Sequence, residues 1–289
     1  MRHAELPAFV RHLRLPFQLA LAPFFLLGSW LADTPLGWSW ALASVAVHVG
    51  LYGGATVFNG FYDKDRGPIG MMRRPTPVSA AMRDAALLLQ LVALALLFAV
   101  DWRAGLVGTA LFVMGCAYSH PLWRWKSSTW KGLACVAGGQ GALAVLLGSF
   151  ATGVAVVTQR QLAVAAATSL LVLGMYPLTQ IYQIDEDRAR GDLTLPVRFG
   201  WRRAMLFAWP VASGGLALAL FLLRAALPLS WGWLAAGASA ALASYLGLWA
   251  ARFARQGSER NHDWAMVASL AVAAPTGLAL MVELTRRWP

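Results

Sequence analysis

Successive apolar runs of about 17–25 residues, each long enough to cross a bilayer, constrain this chain more than any other feature. A helix rises about 1.5 Å per residue, so roughly 20 such residues span a hydrocarbon core of about 30 Å. Backbone polar groups in lipid must be satisfied internally, and runs of this length therefore imply helices rather than a barrel. The composition agrees: 58% of the 289 residues are apolar and 13% are charged, against about 25% charged in ordinary soluble domains. The runs predict nine spans, at about 15–33, 38–62, 82–101, 103–119, 132–152, 161–183, 203–223, 228–252 and 263–284. The expected fold is an all-α polytopic membrane protein, a single domain over residues 1–289 with nine helices around a central cavity. Its halves are expected at roughly 1–131 and 132–289. The first run follows Arg2, Arg11 and Arg14 in the manner of a signal peptide, but Trp30 and Asp33 fit an interface better than a cleavage site, so it is taken as the first span.

A net charge of +11 would in a soluble protein point to nucleic acid. Here topology accounts for it. With the N-terminus inside, nineteen of the 24 basic residues fall in inside loops, leaving Arg103, Arg160, Arg224, Arg286 and Arg287 on the other side. The expectation is an integral protein of a bacterial plasma membrane with a cytoplasmic N-terminus and no nucleic-acid partner. Cys116 and Cys135 fall in or beside apolar spans with no ligand spacing, and read as packing residues. His48 reads as a packed, hydrogen-bonded core residue. The tryptophans near span ends, Trp30, Trp38, Trp102, Trp123, Trp201 and Trp288 among them, read as an aromatic belt.

Acidic residues number thirteen, yet Asp63, Asp65, Asp185, Glu186, Asp187 and Asp192 concentrate in two inside loops. The loops resemble each other: Asn59 precedes Asp63 by four residues and Gln183 precedes Asp187 by four, at the ends of the second and sixth spans. Helical residues four apart share a face, so each amide and its carboxylate are expected to point together. The pattern suggests a two-half repeat whose acidic loops converge on one cavity. Carboxylates at the end of an apolar span are costly unless they meet cations or water. Oxygen donors of this type suit Mg2+, which commonly bridges protein carboxylates to substrate phosphates. Arg66, Arg73, Arg74, Lys126, Arg188 and Arg190 supply the cations expected around a polyphosphate.

Three motifs in order resemble the UbiA superfamily of intramembrane prenyltransferases. Asn59-Gly-Phe-Tyr-Asp63, with Arg74-Pro-Thr-Pro77 beyond it, is similar to that family's first acidic motif. Tyr118-Ser-His-Pro121 with Lys126 is similar to its central loop, and Asp187-Arg-Ala-Arg-Gly191-Asp-Leu-Thr194-Leu-Pro to its second motif. The chain departs from the pattern at Gly60, Gly67 and Gln183, where aspartates usually stand. The resemblance implies Mg2+-dependent transfer of a prenyl group from an isoprenyl diphosphate to a lipophilic or aromatic acceptor. A terpene cyclase or a non-catalytic polyisoprenoid carrier would be the alternatives. The residues expected to act are Asp63, Asp187, Tyr118 and Lys126. Asn59, Asp63, Asp65, Asp185 and Asp187 would hold the metal, and Asn59, Arg66, Arg74, Lys126, Arg188, Gln183 and Arg14 would bind substrate. Glu186 is expected to point away from the site.

Overall fold

The computed structural model describes residues 5–224 and 230–288. Among the described residues the regular structure is helical, with only isolated bridges between Ile69 and Met72 and between Ser128 and Leu193. The helices are α1 (Leu6–His12), α2 (Leu15–Ala32), α3 (Trp38–Val45), α4 (Gly54–Asp63), α5 (Ala80–Val100), α6 (Trp102–Ser119), α7 (Thr129–Val136), α8 (Ala144–Phe150), α9 (Gln159–Met175), α10 (Ile184–Arg190), α11 (Leu195–Phe199), α12 (Trp201–Leu223), α13 (Ser230–Phe253) and α14 (Ser258–Thr285). Wider π-helical turns at Ala46–Gly53 and Ala137–Leu143 join α3 to α4 and α7 to α8.

Seven helical stretches among the described residues are long and apolar enough to cross a membrane: Leu6–Ala32, Trp38–Asp63, Ala80–Val100, Thr129–Phe150, Gln159–Arg190, Trp201–Leu223 and Ser258–Thr285. The protein is an integral membrane protein. Helices also stand at the other two expected spans, Trp102–Ser119 and Ser230–Phe253; residues 228–229 of the latter expectation, and Arg2, lie outside the described residues. Two boundaries differ from the sequence reading. A short helix, α1, precedes the first span and breaks at Arg14, whose φ of 50° places it in the left-handed region. The sixth span does not end at residue 183, because 3-10 turns at Tyr176–Thr179 and Ile181–Gln183 carry it into α10.

The chain divides into two compact units, one of Met1–Trp125, Leu143–Val157 and Ala273–Pro289, the other of Lys126–Ala142 and Thr158–Val272. In the first unit α2 and α8 cross with their backbones nearly in contact. A Cβ at Gly28 would lie 1.9 Å from the Val145 carbonyl oxygen, and one at Gly148 would lie 1.9 Å from that of Phe25. The neighbouring serines close the crossing reciprocally: Ser29 Oγ donates to the Gly148 carbonyl at 3.0 Å and Ser149 Oγ to the Gly28 carbonyl at 3.0 Å. Small residues permit this approach, and the hydroxyl bonds compensate polar groups that lipid cannot satisfy. Around the crossing lies a core that includes Phe25, Trp40, Val47, Leu97 and Leu147. His48 is packed as expected, with Nδ1 2.8 Å from the Ser44 carbonyl and its ring edge-on to Phe25.

In the second unit α9 lies along α12. A Cβ at Gly174 would be 2.3 Å from Ala212 N, and one at Gly215 would be 2.4 Å from Leu171 N. The first unit has a matching contact, for a Cβ at Gly50 would be 2.4 Å from Ala93 Cβ. Gly50 and Gly174 each stand thirteen residues ahead of Asp63 and Asp187 respectively. The same Gly-Ser dipeptide recurs at 28–29 and 148–149, in the first and fifth spans. Both spacings are what an internal repeat offset by four helices leaves in a sequence. Exposed Trp38, Trp102 and Trp123 stand at or beside helix ends, while Trp249 is buried and donates through Nε1 to Asn261 Oδ1 at 2.9 Å.

Candidate active site

In the first unit the acidic end of the second span is an ordinary α-helix, so Asn59 and Asp63 share a face as the spacing predicts. Lys64, at φ 52°, ends α4 with its N–H on the Gly60 carbonyl at 3.1 Å. Asp63 is buried, and Asn59 Oδ1 is a buried oxygen without a hydrogen-bond partner. A buried amide oxygen left in that state costs about 1–3 kcal/mol, so its persistence beside a buried carboxylate fits a cation ligand. The break between α1 and α2 lies against the same segment. Thr56 Oγ1 donates to the His12 carbonyl at 2.8 Å, and His12 Nε2 is 2.8 Å from the Thr76 carbonyl. Arg14 is buried with its Cδ 3.1 Å from where a Gly70 Cβ would stand. Gly60 faces Val78, whose Cγ2 would be 3.2 Å from an added Cβ, so a larger side chain here would crowd that loop. Asp65 is half-buried; Arg66 and Arg74 are exposed. Tyr118 is half-buried in the last turn of α6, and nearby His120 stacks edge-on against Tyr62 at 5.3 Å.

The second unit builds a buried ionic cluster. Asp187 Oδ1 accepts from Arg190 Nη2 at 2.6 Å and Oδ2 accepts from Thr194 Oγ1 at 3.2 Å. Arg190 Nε also reaches Asp192 Oδ2 at 3.3 Å, and Lys126 Nζ lies 3.7 Å from the same oxygen. Asp187, Asp192, Lys126 and Thr194 are all buried. Two local devices bring them together. Gly191, at φ 77°, closes α10 in the left-handed conformation, and the following Asp192 N–H returns to the Asp187 carbonyl at 2.9 Å. The Lys126 loop is joined to residue 193 by the Leu193 N–H on the Ser127 carbonyl at 3.0 Å and by the Thr129 hydroxyl on the Leu193 carbonyl.

Several expected residues fall elsewhere. Asp185 is almost fully exposed at the start of a regular helix, where it pairs with Arg188, itself exposed, at 3.4 Å. Gln183 ends a 3-10 turn and caps α10, so the four-residue spacing to Asp187 is not one continuous α-helical face. Glu186 does not point away, because its Oε2 comes within 3.9 Å of Arg190 Nη1. Arg190, expected only as one of the surrounding cations, belongs to the cluster together with Asp192 and Thr194, which were not among the expected site residues. Three of the four signals for them were in the sequence: the i, i+3 spacing of Asp187 and Arg190, the glycine at the helix end, and an aspartate after it. The fourth, contact with Lys126, spans 66 residues and had no local signature. Among the described residues no group of three or more His, Cys, Asp or Glu side chains is arranged to hold a metal by itself.

Buried carboxylates at the ends of broken membrane helices, accompanied by buried cations, mark a candidate functional site in an integral membrane protein. Residues 21–273 match the model of the UbiA prenyltransferase family, and the chain belongs to that family. Digeranylgeranylglyceryl phosphate synthase of Methanoregula boonei is 31% identical over 192 residues. The match covers 64% of this chain and 64% of that synthase, so it spans just under two thirds of the relative's own length. The fold is shared with a UbiA homolog from Archaeoglobus fulgidus bound to Cd2+, at a TM-score of 0.67 and 18% identity over 97% of each chain. The same homolog bound to GPP and Mg2+ matches at a TM-score of 0.66 and 20% identity, over 95% of this chain and 99% of that one.

Proposed function

We propose that this protein transfers a prenyl group from an isoprenyl diphosphate to an acceptor within the membrane, using Mg2+. The carrying observation is an unsatisfied Asn59 oxygen on the same helix face as buried Asp63 in the first unit; within the second unit, buried Lys126 and half-buried Arg190 supply cations. Asn59 and Asp63 would hold Mg2+, with Asp65 as the next oxygen donor in sequence. Mg2+ supplies positive charge to a diphosphate leaving group. Lys126 and Arg190 hold diphosphate oxygens by charge-assisted hydrogen bonds, and Arg66, Arg74 and Arg188 extend the cationic layer. Tyr118 orients a phosphate oxygen or the acceptor, and Arg14 meets an anionic acceptor. The allylic C–O bond breaks with its electron pair going to diphosphate. The acceptor then forms the new bond to carbon and gives up a proton. The apolar helix faces hold the chain and keep water from the electron-poor carbon.

In this reading the acceptor is aromatic, as the motif resemblance implies. The similarity to a digeranylgeranylglyceryl phosphate synthase favours a second reading, in which the nucleophile is the hydroxyl of a lipid phosphate precursor. The protein is placed in the bacterial plasma membrane with its N-terminus and both acidic segments cytoplasmic, because that orientation collects nineteen of 24 basic residues inside. Mass spectrometry of products formed when membranes holding the protein receive isoprenyl diphosphates, Mg2+ and lipid extract tests both readings. A prenylated aromatic product supports the first, a prenyl ether of a glyceryl phosphate the second. A cyclised hydrocarbon, or unchanged diphosphate, would refute transfer.

A further inference from the structure

One end of the second unit carries an arc of aromatic rings with cations set among them. Trp130 in α7 meets Phe199 in α11 at 6.4 Å between ring centroids, and Trp201, the first residue of α12, stacks on Phe253 in α13 at 4.4 Å. Arg198 lies 5.4 Å over the Phe199 ring, Arg202 lies 5.1 Å over Trp201, and Arg252 of α13 reaches 5.7 Å over Trp264 of α14. Leu193, Trp130 and Phe199 are exposed, as are Arg198, Arg202, Arg203, Arg252, Arg255 and Arg260. Lys131, next to Trp130, is a seventh exposed cation. Among the described residues no ion pair joins any of the seven to a carboxylate. Four of the unit's carboxylates, Asp185, Glu186, Asp187 and Asp192, face Arg188, Arg190 and Lys126. The others are Glu259 in the first turn of α14 and Asp263 beside His262, so seven cations stand against two carboxylates.

The fold's own electrostatics do not account for these positions. Arg202 and Arg203 fall in the first turn of α12, which holds no acidic residue, and Arg260 falls in the first turn of α14; the helix dipole disfavours positive charge at both places. An aromatic face holds a guanidinium without neutralising it, so the N–H groups of Arg198, Arg202 and Arg252 stay available to an outside anion. Both α12 and α14 are long and apolar enough to cross a membrane, and rings with cations at the ends of such helices stand at the level of lipid headgroups. The exposed rings also favour a lipid over a soluble anion, which would leave them uncovered. We infer that this surface docks anionic phospholipid headgroups. The arginines bind the phosphates, and Leu193, Trp130 and Phe199 enter the boundary between headgroups and acyl chains. Leu193 and Phe199 bracket Thr194 and the rest of α11, so bound lipid fastens the segment that carries Asp192 and Thr194.

The test uses the full chain purified in mild detergent and titrated with phosphatidylglycerol or with phosphatidylcholine of the same acyl chains. Native mass spectrometry reads the bound lipid and the oligomeric mass together. Phosphatidylglycerol is expected to bind about tenfold or more tightly than phosphatidylcholine, since one basic side chain near an anionic surface is worth roughly fivefold. Arg198→Gln/Arg202→Gln should remove most of that preference. Arg160→Gln/Arg224→Gln lowers the net charge equally at the other end of the unit, where these arginines donate to the Leu222 and Phe221 carbonyls; it should leave the affinity within about twofold. Equal losses in the two double variants would mean attraction by net charge alone, and equal affinity of the unmodified chain for both lipids would mean no anionic docking; either result overturns the inference. Displacement of phosphatidylglycerol by equimolar inorganic diphosphate would assign the surface to a soluble anion. A dimer that Arg198→Gln/Arg202→Gln dissolves, without any lipid preference, would assign it to a second copy of the chain, and each of these also overturns the inference. The comparison of the two lipids on the unmodified chain decides the matter even if a variant does not fold.

Discussion

Arg190 Nη2 lies 2.6 Å from Asp187 Oδ1, and the same guanidinium reaches Asp192 through Nε at 3.3 Å. The Asp187 side chain is only 7% exposed and that of Asp192 2%, so neither carboxylate can turn to water if the arginine is removed. Breaking a buried pair from one side leaves an uncompensated charge and typically costs about 3–5 kcal/mol, whereas removing both partners costs less. Arg190→Gln is accordingly expected to lower the thermal unfolding midpoint in mild detergent sharply. The double variant Asp187→Asn/Arg190→Gln should recover at least about 1 kcal/mol of the summed single losses. Additive losses would show that the pair is not coupled.

Much of this arrangement was legible in the sequence, and the unread part has physical causes. Asp63, Asp187 and Lys126 stand out because charge at the end of an apolar run is expensive. Arg188 and Arg190 both stand among the expected cations, but the substrate-binding set names Arg188 alone, because charge by itself does not fix helical phase. Residue 190 lies one turn from Asp187 on its face, while 188 lies about 100° away. Gln183 was expected beside Asp187 on the assumption of a continuous α-helix, and the 3-10 turn at Ile181–Gln183 removes that assumption. Asp192 enters only through the left-handed turn at Gly191, and Lys126 through backbone pairing with a residue distant in sequence. The π-helical turns had no sequence signal beyond their glycines.

Gly191 is therefore a position where the backbone requires glycine, since an L residue at φ 77° pays about 1–2 kcal/mol. The left-handed cap directs Asp192 toward Lys126. Gly191→Val is expected to reduce both stability and turnover, with Gly191→Asn milder because asparagine tolerates this conformation. Equal behaviour of the two variants would count against the turn as the device that places Asp192.

Adjacent glycines in α12 provide an internal control for packing. Nothing lies within 4 Å of a Cβ at Gly214, while one at Gly215 would sit 2.4 Å from Leu171 N. Gly214→Ala should leave the unfolding midpoint unchanged or raise it, by helix propensity of up to about 1 kcal/mol. Gly215→Ala should lower it by about 1–3 kcal/mol through overpacking. The same loss is expected for Gly148→Ala at the crossing with α2. Thermal unfolding of the three variants decides the matter, and a tolerated Gly215→Ala would mean that α9 and α12 are farther apart than described.

Orientation is open to chemical labelling in a cysteine-free background made by replacing Cys116 and Cys135. Arg73 and Arg198 are both exposed in segments assigned to the cytoplasmic side. Single cysteines at these positions are expected to resist an impermeant maleimide applied to intact cells and to react once the membrane is opened. Reaction in intact cells at both positions would invert the topology.

The central claim is that this chain uses a metal held by Asp63 to expel diphosphate from an isoprenyl substrate. Pyrophosphate release from an isoprenyl diphosphate by the purified protein, followed with and without Mg2+ in the presence of lipid extract, measures that claim most directly. The unmodified chain is expected to release pyrophosphate only with Mg2+, and Asp63→Asn is expected to fall by about 10²-fold or more, comparable to losing a strong electrostatic contact in a closed site. Release that is absent in the unmodified protein, or equal in the unmodified protein and Asp63→Asn, would contradict the account.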